Sequence, residues 1–319
     1  MLKAQEVIKA TKAKVLQGLS NIEFSGISID SRTIKPGELF VAVKGSRFDG
    51  HEFIKDAISQ GAKGVLVRNN FKTTSYNDKK VLIISVNDTI KALGELANYH
   101  RKRFKIPIIA VTGSNGKTTT KELIACILEE RYKTLKNPGS FNNHFGLPLS
   151  LLKLKPYHSA CVLEIGMNHK GEIKNLTRIL EPDIGVITNI GPVHMEFFKN
   201  IREIALEKAE LFNGIAKDKI IIINKDDAEI ERISKAFHNP MITFGLSKEA
   251  QIRGSNICED KAGKISFDLE REGEKKRIEL NLLGEHNIYN ALAAIACVTP
   301  LNFTLDEIEK GLKKVRPVG

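Results

Sequence analysis

The run Thr112-Gly113-Ser114-Asn115-Gly116-Lys117-Thr118-Thr119-Thr120 directly follows the apolar stretch Ile108-Ile109-Ala110-Val111. A buried strand, a glycine-bearing loop and a helix in that order leave few folds open; the pattern is that of a phosphate-binding loop. Gly113 and Gly116 let the backbone approach a phosphate closely, Lys117 brings a point charge, and Thr118 offers a hydroxyl to Mg²⁺. The helix that follows turns the positive end of its dipole towards the anion. The usual form has a longer spacer between its glycines, shortened here to Ser114 and Asn115. A short loop followed by three threonines marks a narrower set of ATP users; the plain alternative is a Gly-Asn turn ahead of an ordinary helix.

Around that loop the chain shows two rhythms. Ahead of residue 105 the strand candidates are short: Leu39–Val43, Gly64–Val67 and Val81–Val86. A helix is predicted from Glu52 to Gln60, stopped by Gly61. Asn69 to Lys80 is polar and reads as a loop. A helix from about Thr89 to Lys102 leads into Lys105-Ile106-Pro107, where a domain boundary is expected. Beyond it, apolar runs at 108–111, 160–165, 184–188 and 219–223 alternate with helical or turn segments. Leu123, Ile124, Ile127 and Leu128 line one face of the helix after the loop. This alternation predicts a mainly parallel sheet covered by helices on both faces, with ligands at the carboxyl ends of its strands. Residues 250–283 alternate apolar and polar, as in Ile265–Leu269 and Ile278–Leu282, and read as antiparallel strands. A last helix pair is expected near 286–297 and 305–315. The expected fold is α/β: a small mixed α/β N-terminal domain (1–104), then a central domain of phosphate-loop type (105–315).

At 319 residues the chain can bury two cores, and its 42% apolar and 27% charged content are those of a globular protein. No apolar run approaches the roughly 20 residues of a membrane span. Met1-Leu2-Lys3-Ala4-Gln5 starts no signal peptide, so the chain is expected in the cytoplasm. Cys126 and Cys161 lie in apolar runs as small core residues, and the four cysteines form no metal or disulfide pattern. The net charge of +11 is mostly lysine spread along the chain, with no basic motif rich in aromatics. It reads as solvated lysine faces rather than a nucleic-acid surface, with room for a general pull on small polyanions.

Four further groups stand at the ends of predicted strands, and Lys208 lies in a helical segment. Glu164 ends Cys161-Val162-Leu163, where it can hold Mg²⁺ beside the loop or stand as an ordinary strand-end charge. His194 follows the strand 184–188 at the same sheet edge, a place for a metal or phosphate contact as well as for a structural histidine. Lys208, within Ile204–Phe212, reads by pattern alone as a helix-surface lysine. Asn224-Lys225-Asp226-Asp227 and Gly284–Asn290 are polar turns after apolar strands, open either to capping helices or to contacting a nucleotide base.

Taken together, Thr112–Thr120, Asn142-Asn143-His144-Phe145-Gly146-Leu147-Pro148, Glu164-Ile165-Gly166-Met167-Asn168 with Gly171-Glu172-Ile173, His194 and Gly284–Asn290 resemble the Mur ligase family, which makes peptidoglycan precursors. Asp30-Ser31-Arg32, Pro36–Phe40 and Asp49-Gly50-His51 with Phe53 resemble the uridine-diphosphate-binding domain of its later-acting members. The 142–148 and 164–173 pieces are most like those of the member that adds D-alanyl-D-alanine. The diamino-acid-adding member is the alternative, and a nucleotide-binding module that catalyses nothing unaided is another.

The resemblance implies ATP and Mg²⁺ as cofactors. It implies a UDP-N-acetylmuramoyl tripeptide and D-alanyl-D-alanine as substrates, joined through an acyl phosphate. It further implies that Gly113, Ser114, Asn115, Gly116, Lys117, Thr118 and Thr119 hold the ATP phosphates. Thr118 and Glu164 would bind one Mg²⁺ and His194 a second, with Lys208 as a carbamoylated metal ligand; Lys117, Lys208 and His194 would form the catalytic set. Asn224, Asp226, His286, Asn287 and Asn290 would lie near adenine and ribose, and Ser31, Arg32, Asn142 and Asn143 would meet the UDP-linked substrate. A monomer is expected. Residues 316–319 resemble the start of a linker to the family's C-terminal domain, which is expected to be missing from this chain.

Overall fold

Apolar runs bounded by turns become the strands of separate sheets. The computed structural model describes residues 2–45, 47–72, 80–139, 141–261 and 263–316. The chain clusters into two compact units, 1–103 with 151–153, and 104–150 with 154–319.

The first unit runs β1 (Leu2–Lys3), α1 (Ala4–Thr11), β2 (Lys14–Gln17), β3 (Glu23–Phe24), β4 (Ile27–Ser28), β5 (Leu39–Val41), a 3₁₀ turn (Gly50–Phe53), α2 (Ile54–Ser59), β6 (Gly64–Arg68), β7 (Leu82–Val86) and α3 (Thr89–Arg101). β4, β5, β6 and β7 are parallel neighbours in that order, and β2 joins β7 antiparallel. Phe40, Val65, Val67 and Ile83 form a core with Ile54 and Ala57 of α2. The helix predicted over 52–60 is a 3₁₀ turn followed by a short α-helix, opened by Asp49, whose side chain accepts from the His51 amide. β1 to β4 have too few residues each to show a period in sequence. Of the predicted loop at 69–80, residues 73–79 lie outside the described residues, as do 317–319 of the predicted linker.

The remaining elements are β8 (Ile108–Thr112), α4 (Lys117–Leu128), β9 (Thr134–Lys136), α5 (Gly146–Leu151), β10 (Ala160–Glu164), α6 (Glu172–Leu180), β11 (Ile184–Ile187), α7 (Ile201–Asn213), β12 (Ile220–Asn224), α8 (Ala228–Ser234), β13 (Met241–Gly245), β14 (Ile252–Glu259), β15 (Lys264–Arg271), β16 (Glu274–Leu283), α9 (His286–Val298) and α10 (Leu305–Lys313). Their sheet has nine strands in the order β16-β15-β14-β13-β12-β11-β8-β10-β9. From β9 to β14 every neighbouring pair is parallel, and β15 and β16 extend it antiparallel, as the sequence pattern predicts. Ile109, Val111, Val162 and Val186 share a core with α4, α9 and α10 on one face. On the other face Gly185 leaves room for Leu211 of α7 and for Ile215. Having laid β9 and β10 on one side of β8, the chain crosses to the other side for β11. That reversal opens a crevice at the carboxyl ends of β8, β10 and β11. Gly284–Asn290, read as a polar turn, is already helical from His286. Among the described residues no helix is long and apolar enough to cross a membrane.

Candidate active site

Three neighbouring strand ends build the crevice. β8 runs into Gly113, β10 ends on Glu164, and β11 is followed by Thr188 and Asn189. Gly113 (φ +152°) and Gly116 (φ +74°) stand where a side chain is excluded. A Cβ would lie 1.9 Å from Thr188 Oγ1 at the first and 2.1 Å from Asn290 Oδ1 at the second. The segment after β11 braces the loop. Ser114 N donates to Asn189 O (2.9 Å), Asn115 N to Asn189 Oδ1 (2.9 Å), Gly191 N to Ser114 Oγ (2.8 Å) and Thr188 Oγ1 to Asn115 O (2.6 Å). The Ser114 and Asn115 amides, expected to face phosphate, are therefore already used within the protein. Thr120 N bonds Gly116 O (2.8 Å). The amides from Gly116 to Thr119 are those a helix leaves unpaired at its start. Thr188 and Asn189 were not among the predicted site residues, although their place just past an apolar strand was a usable signal.

Opposite the loop, both oxygens of Glu164 are engaged. Thr118 Oγ1 donates to Oε2 and Asn142 Nδ2 to Oε1, each at 2.7 Å, and the residue is 1% exposed. A hydroxyl touching a buried carboxylate beside a phosphate loop suits Mg²⁺, a hard cation that keeps waters and takes phosphate oxygens. Among the described residues no three His, Cys, Asp or Glu side chains cluster, so water and substrate would have to supply further ligands. Asn143 turns elsewhere: its Oδ1 accepts from the amides of Phe145 and Gly146 at the start of α5. His144, outside the predicted set, lines the same cleft of about 620 Å³ as Lys117, Thr118, Glu164, His194 and Lys208.

Two lysines converge on one carbonyl. Lys208 Nζ donates to Gly113 O at 2.8 Å; Lys117 Nζ donates to the same oxygen at 3.1 Å and to Ser114 O at 3.2 Å. Lys208 is only 2% exposed, which corrects its reading as a surface lysine. Ile204, Ala205, Lys208, Leu211 and Phe212 form one buried stripe of α7, and position 208 falls on it. Burial lowers the Lys208 ammonium to about 7, the Lys117 charge pushes the same way, and Glu207 opposes. Such a drop disfavours the charged form by on the order of 5 kcal/mol relative to water. Burial likewise lowers Lys117, against the pull of Glu164. Glu207 caps the preceding helix, α6, by accepting from Gly171 N (2.8 Å) and Ile173 N (3.3 Å), and burial raises its carboxyl. His194 takes a left-handed backbone conformation (φ +55°), uncommon for a side chain with a Cβ.

The residues expected near adenine and ribose divide by role. Asn224 Nδ2 donates to Thr188 O (2.9 Å), Asn290 Nδ2 to Asn287 Oδ1 (2.9 Å), and Thr120 Oγ1 to Asn290 Oδ1 (3.3 Å). These buried amides support the loop from behind. Asp226 accepts from the amides of Leu246 and Ser247 and from Tyr289 Oη, and His286 is exposed. None of the five borders the 620 Å³ cleft. In the first unit Ser31 is buried, and Arg32 grips Asp30 through two hydrogen bonds (2.9 and 2.7 Å), holding that carboxyl below its ordinary range.

A glycine loop at a strand switch, flanked by a buried carboxylate and two close lysines, defines a nucleotide-binding α/β protein. Comparison narrows that class. The Mur ligase middle domain matches residues 111–298, and the catalytic domain of the Mur ligase family matches residues 23–101. The chain belongs to the Mur ligase family. It is 34% identical over 317 residues to the UDP-N-acetylmuramoyl-tripeptide–D-alanyl-D-alanine ligase of Haemophilus influenzae, covering 98% of this chain and 67% of that protein. The enzyme of the same name from Bacillus subtilis is 34% identical over 98% of this chain and 66% of its own length. Among solved structures, MurF from Acinetobacter baumannii superposes with a TM-score of 0.91 at 32% identity, covering 99% of this chain and 69% of that one. MurF from Thermotoga maritima in complex with ADP gives 0.82 at 28% identity, covering 92% and 66%. The chain thus spans about two thirds of the length of the relatives it matches.

Proposed function

We propose that this chain is the acceptor- and ATP-binding part of a cytoplasmic ligase that uses ATP to join D-alanyl-D-alanine to a UDP-N-acetylmuramoyl tripeptide in peptidoglycan synthesis. The observation that carries this reading is the convergence of Lys117 and Lys208 on Gly113 O beside the Thr118–Glu164 pair. The names of the relatives supply the substrates. Residues 105–315 would hold ATP, and residues 1–104, with Ser31 and Arg32, the UDP end of the acceptor.

A carboxylate is a poor electrophile. An oxygen of the acceptor carboxylate attacks the γ-phosphorus, the bond to the bridging oxygen breaks, and ADP leaves an acyl phosphate behind. The dipeptide nitrogen attacks the acyl carbon and gives up a proton, and phosphate departs with the former carboxylate oxygen. The Gly116–Thr119 amides and Lys117 would offset charge on the transferring phosphoryl group. Thr118, Glu164 and His194 would hold Mg²⁺, which screens phosphate charge when bound. Asn142 would border the acceptor while its side-chain amide keeps Glu164 in place.

Lys208 fits a further chemical role. With its ammonium lowered to about 7, roughly half the molecules carry a neutral amine near neutral pH. That lone pair can attack CO₂; the nitrogen loses a proton, and a carbamate replaces a cation with an anion able to draw a metal. Its remaining N–H can still donate to Gly113 O.

The test of the ATP assignment is Lys117→Ala. Calorimetry with a non-hydrolysable ATP analogue and Mg²⁺ should show binding by the natural chain and none by the variant, with the thermal transition unchanged. Equal affinity for the two proteins removes the phosphate-loop assignment.

A further inference from the structure

Lys121 carries a charge that the chemistry above leaves unused. It lies one turn beyond Thr118 on α4 and is 0% exposed, a rare place for an ammonium. Burying a cation is unfavourable unless its protons are satisfied. Here Nζ donates to Asn137 O (2.7 Å) and Gly139 O (3.2 Å) and lies 3.0 Å from Glu122 Oε1. Glu122 is shared with Lys136, whose Nζ donates to it at 2.5 Å. A residue needed only to fill space would not require this surround of acceptors.

Asn137, also 0% exposed, continues the network towards the cleft. Its Oδ1 accepts from Glu164 N (3.0 Å), and its Nδ2 donates to Phe141 O (2.9 Å) and Glu164 O (3.2 Å). Further along, Asn142 meets Glu164 through its side chain, and its carbonyl accepts from Gly166 N (2.9 Å). Thr118 and Lys121, three residues apart on α4, share a helix face. One helix therefore grips the same stretch of chain twice, through Glu164 at its far end and through Lys121 at its near end.

We infer that Lys121 and Asn137 form a buried latch that positions Asn142 against the phosphate loop, and so sets the acceptor in register with the nucleotide. Lys121 is a positioning residue that touches neither substrate. The inference rests on the ligase reading of the cleft and deepens it.

The test uses the whole chain. The sequence contains no tryptophan, so Phe141→Trp, at a position 55% exposed, places a single fluorescent reporter on the latched stretch. Adding Lys121→Met should raise acrylamide quenching of that reporter about 1.5-fold as the stretch opens locally. On the natural background, Lys121→Met should leave ATP-analogue affinity within about twofold and lower affinity for the UDP-N-acetylmuramoyl tripeptide about tenfold, the size of one lost charged hydrogen bond. Asn137→Ser breaks the latch without touching the cation; the same split is expected, and it carries the test if Lys121→Met does not fold. An unchanged reporter, an unchanged acceptor affinity, or nucleotide and acceptor affinities that fall together overturn the latch. Failure of the natural chain to bind either ligand overturns the ligase reading instead, and the quenching comparison, which needs no ligand, still decides the latch.

Discussion

Position 208 shows how one side chain can answer to its surroundings in two ways. Folded, the amine titrates near 7; unfolded, it returns to the ordinary lysine value of 10.5. Between those values the unfolded chain holds a proton that the folded chain does not, so this residue makes stability rise with pH across that window. Below pH 7 the folded state carries the full cost of a buried cation. Lys208→Met should therefore stabilise the ligand-free chain most near pH 6, and by about 2–3 kcal/mol less near pH 9. Denaturant titrations of both proteins at the two pH values check this; a constant difference would show that Lys208 is not held neutral. That Lys117, Thr118 and Glu164 would meet in one crevice was legible in sequence, because each stands beside an apolar strand of recognisable kind. The burial of Lys208 was half legible, since it occupies the apolar stripe of α7. Thr188 and Asn189 offered only their place just past an apolar strand, and their bracing bonds, like the burial of Lys121, depend on contacts that no local pattern shows.

Strands and helices differ in the same way. β8, β10, β11 and β12 stood out as continuous apolar runs, which parallel strands buried on both faces require. β9 has three residues, and β13 begins with three half-buried ones, so neither shows a clear period. Asp227 illustrates what packing adds to a recognisable cap. Its Oδ1 accepts from the amides of Glu229 and Ile230 at the start of α8, an arrangement the local sequence suggests. Its Oδ2 accepts from Ile190 N at 2.7 Å, joining α8 to the segment that braces the phosphate loop and leads to His194. Asp227→Ala should cost about 1–3 kcal/mol, combining a lost cap with an unpaired amide. It should also weaken ATP-analogue binding, whereas Asp227→Asn keeps acceptors for most of these bonds and should lose less. Urea unfolding and calorimetry on the pair are the measurement. Full retention of nucleotide affinity by the alanine variant would mean that α8 does not steady the loop.

Each of the two units has its own sheet and its own apolar core. Under the proposed function each also serves one polyanion: UDP for the first, ATP for the second. Lysine and arginine number 49 against 38 aspartates and glutamates, an excess that favours encounter with both ligands and weakens as salt screens it. Yet charge alone does not discriminate between two nucleotides, so the division must come from local structure. The second unit offers unpaired amides at a helix start and the paired lysines. The first offers Ser31 and an Arg32 already bound to Asp30, so a phosphate there has to compete with that carboxylate. In backbone-labelled chain, UDP should shift amide resonances within 23–101, Ser31 and Arg32 among them, and leave 113–119 in place. An ATP analogue with Mg²⁺ should do the reverse. Raising the salt concentration should weaken both without moving either set of shifted residues. If UDP instead perturbs the phosphate loop and leaves the first unit untouched, the assignment of residues 1–104 to the acceptor is wrong, whatever the loop itself binds.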